Sequence, residues 1–358
     1  MNRPLPRADL QMLSGYHSPQ LDVTIRLNTN ESPFPPPDAF VDAWLTELGS
    51  AALHRYPDRA AERLRDAIAH HVGQTRERVF AANGSNEVLQ TLLLTYGGPG
   101  RRALVFEPTY ALHSHIARIT GTEVITAHRT DDFGIDRDHA VELITAEQPD
   151  LVFVCSPNNP SGTVEPVDAI AAMTDASEGL VVVDEAYGEF APESALSLVS
   201  EDRALVVSRT YSKVWSLAAL RLGFAVGPAW LVEDLDKVVL PYHLDAATQI
   251  AGRVALDFVD DMEARVRLLI EERERMFAAL NEQPGVEVFP SGANFLLFRC
   301  AGRGRKVWEG LVDQGILIRD FSAWPGVEDC LRVTVGTQDE NDRFLSCLGA
   351  VLRESGAP

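Results

Sequence analysis

The middle of the chain alternates between short apolar runs and segments with helical spacing of apolar residues. Each run is followed by turn residues and then, in most cases, by a helix-like segment such as residues 87–97 (EVLQTLLLTYG). Continuous apolar strands that alternate with helices are typical of a parallel sheet covered on both faces. We therefore predict an α/β domain with a mostly parallel central sheet. The runs assigned to its strands are residues 78–82, 102–107, 150–156, 179–186 and 203–208.

A second pattern occupies the C-terminal part of the chain. There a long charged segment with helical spacing, residues 263–281, leads into apolar runs at 293–300, 315–320 and 331–336. Runs that alternate with helices on this smaller scale predict a smaller α+β unit. A proline-rich stretch at 32–37 reads as a rigid connection after an N-terminal arm. The predicted division is an arm that shares in the small domain (1–37), a large domain (38–264) and a small C-terminal domain (265–358).

Composition and charge narrow the class of protein. Of the 358 residues, 46% are apolar and 23% charged, as in ordinary globular proteins. The formal net charge of −20 would repel a phosphate backbone, so we expect no nucleic-acid partner. No apolar run approaches the ~18 residues that span a bilayer, and the N-terminus lacks the apolar stretch of a signal peptide. The four cysteines show no CxxC spacing, and we expect free thiols in a cytoplasmic protein without membrane contact.

Polar side chains follow several predicted strands at the point where each strand ends. Small residues at 83–87 (NGSNE) open a helix and would present backbone N–H groups to a phosphate. The turn at 156–162 (SPNNPSG) presents further amides, Asp184 and Tyr187 follow the next strand, and Lys213 follows the last. Because open α/β sheets bind ligands at the carboxyl ends of their strands, we expect these groups to line one site. They meet the needs of pyridoxal phosphate: an amine, an anion beside the ring nitrogen, donors to the ring oxygen and a phosphate cup.

Lys213 stands between apolar segments and would therefore lie beside the core. Burial lowers the pKa of a lysine amine, which makes it a better nucleophile. Arg221 follows eight residues later, close to two helical turns, so we expect it on a similar face with its planar fork aimed at phosphate.

His113 and His115 stand two residues apart and would form a metal pair if they lay on a strand. The surrounding sequence is helical instead. We therefore assign no metal site to this chain and no special role to either histidine.

Short motifs spread along nearly the whole chain carry a family resemblance. They lie at residues 27–37, 54–58, 83–87, 107–110, 156–162, 184–190, 209–224, 293–295, 315–320 and 331–337. In these motifs the chain resembles the fold-type I pyridoxal-phosphate aminotransferases and, within them, the histidinol-phosphate aminotransferases. The resemblance implies a large domain with a mostly parallel sheet flanked by helices and a smaller α+β domain.

The resemblance also implies a role for each matching residue. Lys213 corresponds to the lysine that forms an imine with the cofactor and moves the proton at the substrate α-carbon. Asp184 corresponds to the carboxylate that faces the ring nitrogen, Tyr187 and Asn159 to the donors to the ring oxygen, and Tyr110 to the aromatic that stacks on the ring. The phosphate-binding set corresponds to Ser85, Asn86, Thr210, Ser212 and Arg221, with Tyr56 donated by the neighbouring subunit. A homodimer with shared sites is therefore implied.

The substrate groups follow from the same resemblance. Arg332 corresponds to the arginine that grips the anionic group of an aminotransferase substrate, and Arg319 precedes it in the neighbouring apolar run. Two arginines suit a doubly charged phosphate better than a single carboxylate. Tyr16, Asn30 and Asn159 complete the expected substrate set.

The implied reaction is transamination of L-histidinol phosphate with 2-oxoglutarate, which gives imidazole-acetol phosphate and glutamate, in histidine biosynthesis. Two other activities on the same scaffold stay open. An aromatic amino-acid aminotransferase is one, because a pocket for an imidazole ring can admit a phenyl ring. A phospho-amino-acid decarboxylase is the other, and it would release carbon dioxide without a keto acid.

Overall fold

Two β-sheets organise the part of the chain that the computed structural model describes, residues 4–11, 13, 15 and 20–354. The strands are β1 (Ile25–Leu27), β2 (Val79–Ala82), β3 (Arg102–Glu107), β4 (Glu123–His128), β5 (Leu151–Cys155), β6 (Leu180–Asp184), β7 (Leu205–Thr210), β8 (Gly223–Val226), β9 (Glu287–Val288), β10 (Phe295–Arg299), β11 (Ile316–Asp320) and β12 (Cys330–Thr334). The helices are α1 (Asp38–Gly49), α2 (Glu62–His71), α3 (Ser85–Tyr96), α4 (Leu112–Thr120), α5 (Arg137–Glu147), α6 (Val167–Ala176), α7 (Ala229–Val238), α8 (Ala246–Ala255), α9 (Val259–Asn281), α10 (Gly304–Asp313) and α11 (Gln338–Glu354).

The larger sheet holds seven strands of the described chain in the order β2-β8-β7-β6-β5-β3-β4. Its strands pair in parallel except β8, which runs antiparallel to both β2 and β7. The apolar runs of the sequence correspond to β2, β3, β5, β6 and β7, so the predicted mostly parallel α/β sheet is confirmed. The two remaining strands, β4 and β8, were not predicted.

The central strands are apolar throughout because both of their faces are covered. In β5, Val152 packs into the hydrophobic core on one face of the sheet and Phe153 into the core on the other. Val181 and Val182 of β6 divide in the same way. Side chains alternate between the two faces of a strand, so burial on both faces demands a continuous apolar run rather than alternation with polar residues.

The smaller sheet has the order β1-β11-β12-β10-β9 among the described strands. The N-terminal segment joins it because β1 pairs in parallel with β11, with Ile25 opposite Ile316. The domain division predicted from the sequence stays a prediction, and its boundary at 264 falls inside α9 (Val259–Asn281).

The two sheets meet where the turn after β5 packs against the segment before β10. The backbone N–H of Gly292 donates to the carbonyl of Gly162 over 2.8 Å. Gly162 has φ +82°, and a Cβ at this position would collide with the Ser291 side chain, so only glycine permits the approach. None of the helices in the described ranges is long and apolar enough to cross a lipid bilayer. All four cysteines are free and buried.

Candidate active site

A cavity of about 350 Å³ opens at the carboxyl ends of β5, β6 and β7, where the two sheets face each other. Parallel strands end at this edge, and the polar residues that follow them converge there. The sequence-predicted residues that line the cavity are Asn30, Ser85, Asn86, Tyr110, Asn159, Asp184, Tyr187, Thr210, Ser212, Lys213, Arg221 and Arg332. Further lining residues that the sequence did not single out include Asn28, Thr29 and Cys155.

Lys213 enters the cavity from the turn that follows β7. Its Nζ donates a hydrogen bond of 2.9 Å to the carbonyl of Thr29, which belongs to the segment after β1. Burial, together with the nearby positive charges of Arg332 and Arg221, lowers the pKa of Lys213 to about 8. A substantial share of this amine is therefore uncharged, and able to act as nucleophile and base, just above neutral pH.

Asp184 is the last residue of β6 and is buried on the cavity floor. Its Oδ1 accepts the backbone N–H of Ala186 at 3.2 Å, and its Oδ2 lies 2.9 Å from His113 Nε2. The His113 ring stacks on Phe153 of β5 with centroids 5.0 Å apart. The carboxylate is therefore held at both oxygens before any ligand arrives.

His113 is the functional candidate that the sequence reasoning missed. Its helical setting was predicted correctly, since α4 spans Leu112–Thr120, but the interpretation of the residue as ordinary was wrong. His113 Nδ1 has no hydrogen-bond partner among the described residues, and Nε2 is the ring nitrogen that donates to the acceptor Oδ2 of Asp184. No spacing in the sequence signals the contact, because it depends on the packing of α4 against β5. Among the described residues, no three His, Cys, Asp or Glu side chains form a metal site.

Hydroxyl and amide donors line the side of the cavity that faces the small sheet. Asn30 Nδ2 donates to Tyr187 Oη at 2.8 Å, which leaves the tyrosine hydroxyl hydrogen available to donate into the cavity. Burial raises the pKa of Tyr187 to about 12, so this hydroxyl keeps its proton at neutral pH. Arg332 Nη1 donates to Asn159 Oδ1, and Nδ2 of Asn159 is therefore the atom that can donate to a ligand. A second Arg332 nitrogen donates to the carbonyl of Asn28 at 2.8 Å.

The opposite end of the cavity is built to receive an anion. Helix α3 begins at Ser85, and its first backbone N–H groups open toward the cavity beside Asn86. Gly84 has φ +79°, and a Cβ there would lie 2.7 Å from Arg221 Nη2, so glycine makes room for the guanidinium. Arg221 Nη1 also donates to Ser212 Oγ at 3.2 Å, and Ser212 Oγ accepts a second hydrogen bond from Thr210 Oγ1 at 3.0 Å.

The helical conformation that the sequence predicted for the segment between Lys213 and Arg221 is wrong. Residues 213–217 form turns, a short 3-10 helix covers Ala218–Leu220, and Arg221 itself has φ +52°. The segment is thus not two turns of α-helix. A left-handed residue at its end, instead of helical periodicity, directs the guanidinium to the cavity.

Tyr110 stands at the cavity wall between the anion end and Asp184. Its hydroxyl donates to Asn86 Oδ1 at 3.1 Å, and its ring lies edge-on to the His113 ring with centroids 5.5 Å apart. Its aromatic ring can therefore cover a flat ligand that rests on Asp184.

Three predicted residues lie away from this cavity or outside the described structure. Arg319 faces Arg332 across the β11–β12 ladder and lines a small side pocket that shares Tyr110, Asn159 and Arg332 with the main cavity. Tyr56 is 80% exposed and stacks on Tyr242, with ring centroids 4.5 Å apart, outside the cavity of its own chain. Tyr16 lies outside the described residues.

The sequence model of the family described as aminotransferase class I and II matches residues 22–348. The chain belongs to this family. These aminotransferases use pyridoxal phosphate, and the predicted family, fold and cofactor are confirmed.

Relatives and solved structures of this aminotransferase agree with the family. It is 47% identical over 351 residues to the histidinol-phosphate aminotransferase of Mycobacterium sp. (strain JLS), across 95% of this chain and 92% of that one. The crystal structure of histidinol-phosphate aminotransferase from Sinorhizobium meliloti in complex with pyridoxal-5'-phosphate shares the fold, with a TM-score of 0.89, 23% identity and 98% of each chain covered. The L-threonine-O-3-phosphate decarboxylase of Porphyromonas gingivalis also shares it, with a TM-score of 0.80, 21% identity and coverage of 92% of this chain and 100% of that one. The fold alone therefore does not separate transamination from decarboxylation.

The cavity of this aminotransferase fits the cofactor of its family. Asp184 is a buried carboxylate, already oriented by His113, that matches a protonated ring nitrogen. The space that Gly84 leaves beside Arg221, at the start of α3, suits the phosphate group. Lys213 lies between these two ends with a lowered pKa, as an amine that binds the aldehyde requires.

Proposed function

We propose that this aminotransferase exchanges the amino group between L-histidinol phosphate and 2-oxoglutarate, yielding imidazole-acetol phosphate and glutamate, as a step of histidine biosynthesis. The observation that carries the proposal is the buried pair of Arg319 and Arg332, which stand directly opposite each other on β11 and β12. Arg332 lines the cavity and Arg319 lines the side pocket that shares Arg332 with it, and two such guanidinium groups match the double charge of a phosphate monoester. The name of the mycobacterial relative, at 47% identity, supports the same substrate.

The residues around the cofactor divide the work of the reaction. When bound, pyridoxal phosphate supplies a carbonyl carbon that takes up the amino group and a ring that accepts the electrons released at the substrate α-carbon. Lys213 holds and moves the proton at that α-carbon, because an amine with a pKa of about 8 can both accept and donate protons near neutral pH. Asp184 would keep a proton on the ring nitrogen of the cofactor, and His113 holds that carboxylate in place.

Donors on the other side of the ring complete this arrangement. Tyr187 and Asn159 would donate to the ring oxygen, and each is oriented by a partner from the small sheet side, Asn30 and Arg332 respectively. Arg332 therefore links the anionic group of the substrate to the donors that surround the cofactor. Substrate binding and cofactor orientation are coupled through this one side chain.

We also propose that the active form is a homodimer in which Tyr56 of each subunit completes the phosphate site of the other. Tyr56 is 80% exposed, its ring stacks on Tyr242 and it does not line the cavity of its own chain, so its hydroxyl is placed for use by a second copy. Leu53 and Leu240 add exposed apolar surface, 73% and 76% exposed, of the kind that an interface covers. A cytoplasmic location stays a prediction, and free buried thiols fit a reducing compartment.

A half-reaction panel tests the substrate. The cofactor-loaded enzyme is mixed with single amino donors in the absence of a keto acid, and the absorbance change from the pyridoxal to the pyridoxamine form of the cofactor is followed. The donors are histidinol phosphate, glutamate, phenylalanine, tyrosine and phosphothreonine. Rapid conversion by histidinol phosphate and glutamate, with slow conversion by the aromatic amino acids, is the expected result.

Other results would point to the two open alternatives. Faster conversion by phenylalanine or tyrosine than by histidinol phosphate would overturn the proposal in favour of an aromatic amino-acid aminotransferase. Carbon dioxide released from phosphothreonine, without conversion of the cofactor, would identify a decarboxylase. The control is Lys213→Ala, which should abolish conversion with every donor, because no other residue is proposed to move the α-proton.

A further inference from the structure

The ring of Phe321 lies against both guanidinium groups of the arginine pair. Phe321 follows β11 directly, two residues beyond Arg319, and is 5% exposed. The centre of its ring is 5.8 Å from Arg319 Cζ and 5.5 Å from Arg332 Cζ. Phe295 adds a second ring, 5.0 Å from Arg332 Cζ.

The aromatic ring lies where two buried positive charges repel each other. Arg319 and Arg332 occupy directly opposite positions of an antiparallel ladder, where like charges repel, and both are buried. The face of an aromatic ring carries partial negative charge and attracts a cation within about 6 Å of its centre. One ring that contacts both cations offsets part of their repulsion and restricts the directions in which the two forks can point.

Phe321 is itself fixed from a further side. Trp324 packs edge-on against it with ring centroids 5.1 Å apart, and the Trp324 backbone N–H donates to the Phe321 carbonyl at 2.8 Å. Trp324 lines the side pocket together with Arg319 and Arg332. The ring is thus held by the turn that follows β11 and presented to the arginines from it.

We propose that Phe321 is a positioning residue that holds Arg319 and Arg332 as a preformed pair for the phosphate group of the substrate. The inference rests on the proposed function, because it assigns the pair to a doubly charged group. Phe321 acts through the arginines and takes no part in the chemistry at the cofactor. Its loss should therefore change substrate affinity and charge preference, while the bound cofactor stays as it is because Arg332 keeps its hydrogen bonds to Asn159 and to the carbonyl of Asn28.

The chain offers a matched control in Phe289. It belongs to the same small hydrophobic cluster as Phe321, is 8% exposed, and has Arg299 Cζ 5.1 Å from its ring centre. It lines neither the cavity nor the side pocket. Phe321→Leu and Phe289→Leu therefore remove the same ring and a similar amount of buried surface, but only the first touches the proposed pair.

The experiment compares both variants with the wild-type holoenzyme, using histidinol phosphate and its dephosphorylated form, histidinol. For Phe321→Leu we expect KM for histidinol phosphate to rise about tenfold, or about 1.4 kcal/mol, through the loss of two buried cation–π contacts. Its kcat should stay within about twofold, since the proton-transfer residues are unchanged. The preference for histidinol phosphate over histidinol should fall by a similar factor, and Phe289→Leu should show neither change.

A binding measurement gives a readout besides turnover. Enzyme loaded with pyridoxamine phosphate has no carbonyl that can react with an amino donor, so calorimetry with histidinol phosphate measures affinity alone. We expect weaker binding for Phe321→Leu and wild-type binding for Phe289→Leu. The visible absorption spectrum of the bound cofactor should be the same in all three proteins.

The possible outcomes separate the inference from the proposed function. Wild-type enzyme that does not use histidinol phosphate would remove the proposed function and the inference with it. Wild-type enzyme that uses histidinol phosphate, with equal KM and equal charge preference in the two leucine variants, would overturn the inference alone. Equal losses of histidinol phosphate and histidinol activity in Phe321→Leu would also overturn it, because they would indicate a general loss of packing.

Discussion

His113 Nε2 lies 2.9 Å from Asp184 Oδ2, and both side chains are almost fully buried. The two residues are 71 positions apart in the sequence and meet because α4 packs on β5 through the stacked rings of His113 and Phe153. An imidazole N–H that donates from Nε2 fixes the direction of the carboxylate. Asp184 can therefore present an oriented carboxylate to the ring nitrogen of the cofactor.

His113→Phe should lower kcat by about tenfold to a hundredfold, the usual worth of a hydrogen bond to a charged group. The phenyl ring keeps the stacking on Phe153, so the fold should survive, but Asp184 loses its donor at Oδ2. Steady-state kinetics measure kcat, and the pH dependence of the cofactor absorption band reports whether the ring nitrogen keeps its proton. His115→Phe, on the same helix, is the control and should leave both unchanged. A wild-type kcat and pH profile in His113→Phe would mean that the contact is merely structural.

Lys213 should take up pyridoxal phosphate with a pH dependence that reflects its lowered pKa. Only the uncharged amine attacks an aldehyde, and with a pKa of about 8 its share rises roughly fivefold between pH 7 and pH 8 and levels off above pH 9. Stopped-flow absorbance of apoenzyme mixed with cofactor measures this rate.

Arg332→Gln provides the control for that measurement. Arg332 lowers the pKa of Lys213 by charge repulsion, so its removal should raise the pKa and move the rate profile to higher pH. Burial, the larger cause, remains in the variant, so the profile should stay below that of an exposed lysine. An unshifted profile would show that the two charges are not coupled.

Local patterns predicted the features that depend on local burial, and tertiary contacts decided the rest. The runs that became β5 and β6 were recognisable because every one of their residues is buried. Strand β4 was missed because it lies at the edge of the sheet, with most of its side chains exposed or half-buried. Strand β8 was missed because it is short and follows a lysine segment that was interpreted as helix.

The candidate site divides in the same way. Residues at strand ends, such as Asp184 and Lys213, could be placed because strand ends meet at one edge of a parallel sheet. The partner of Asp184 could not be placed, since no pattern reports which face of α4 packs on β5. The path to Arg221 could not be derived either, because it depends on a single left-handed residue.

Arg129→Met should destabilise the protein by about 3–5 kcal/mol, because it leaves the buried carboxylate of Glu165 without its partner. Arg129 also donates to the carbonyls of Phe106, Phe133 and Cys155, and so ties the ends of β3 and β5 together. Denaturant unfolding of the variant and the wild type measures the difference in free energy.

The pH dependence of unfolding and a double variant identify the cause of this loss of stability. Burial already raises the pKa of Glu165, and removal of the arginine should raise it further. A protein in which the folded-state pKa of a carboxyl group lies above the unfolded-state pKa becomes less stable as the pH rises. The loss in free energy of unfolding caused by Arg129→Met should therefore be smaller at pH 5 than at pH 7. The double variant with Glu165→Gln should recover part of the loss, and a double variant as unstable as Arg129→Met would contradict this account.

Mixed dimers test whether Tyr56 completes the site of its neighbour. Lys213→Ala removes the amine and Tyr56→Ala removes the exposed hydroxyl, so each variant alone should have low activity at limiting cofactor. If Tyr56 serves the other subunit, a dimer of one Lys213→Ala chain and one Tyr56→Ala chain carries both defects in one site and none in the other. Differently tagged chains, co-expressed and purified through both tags, should then recover about half of the wild-type activity per dimer, because one of the two sites is intact.

If Tyr56 instead serves its own chain, each site of the mixed dimer keeps one defect, and the activity should not exceed half of that of the Tyr56→Ala homodimer. Full wild-type activity in Tyr56→Ala alone, at cofactor concentrations near the dissociation constant, would show that the hydroxyl does not contact the cofactor phosphate in either subunit.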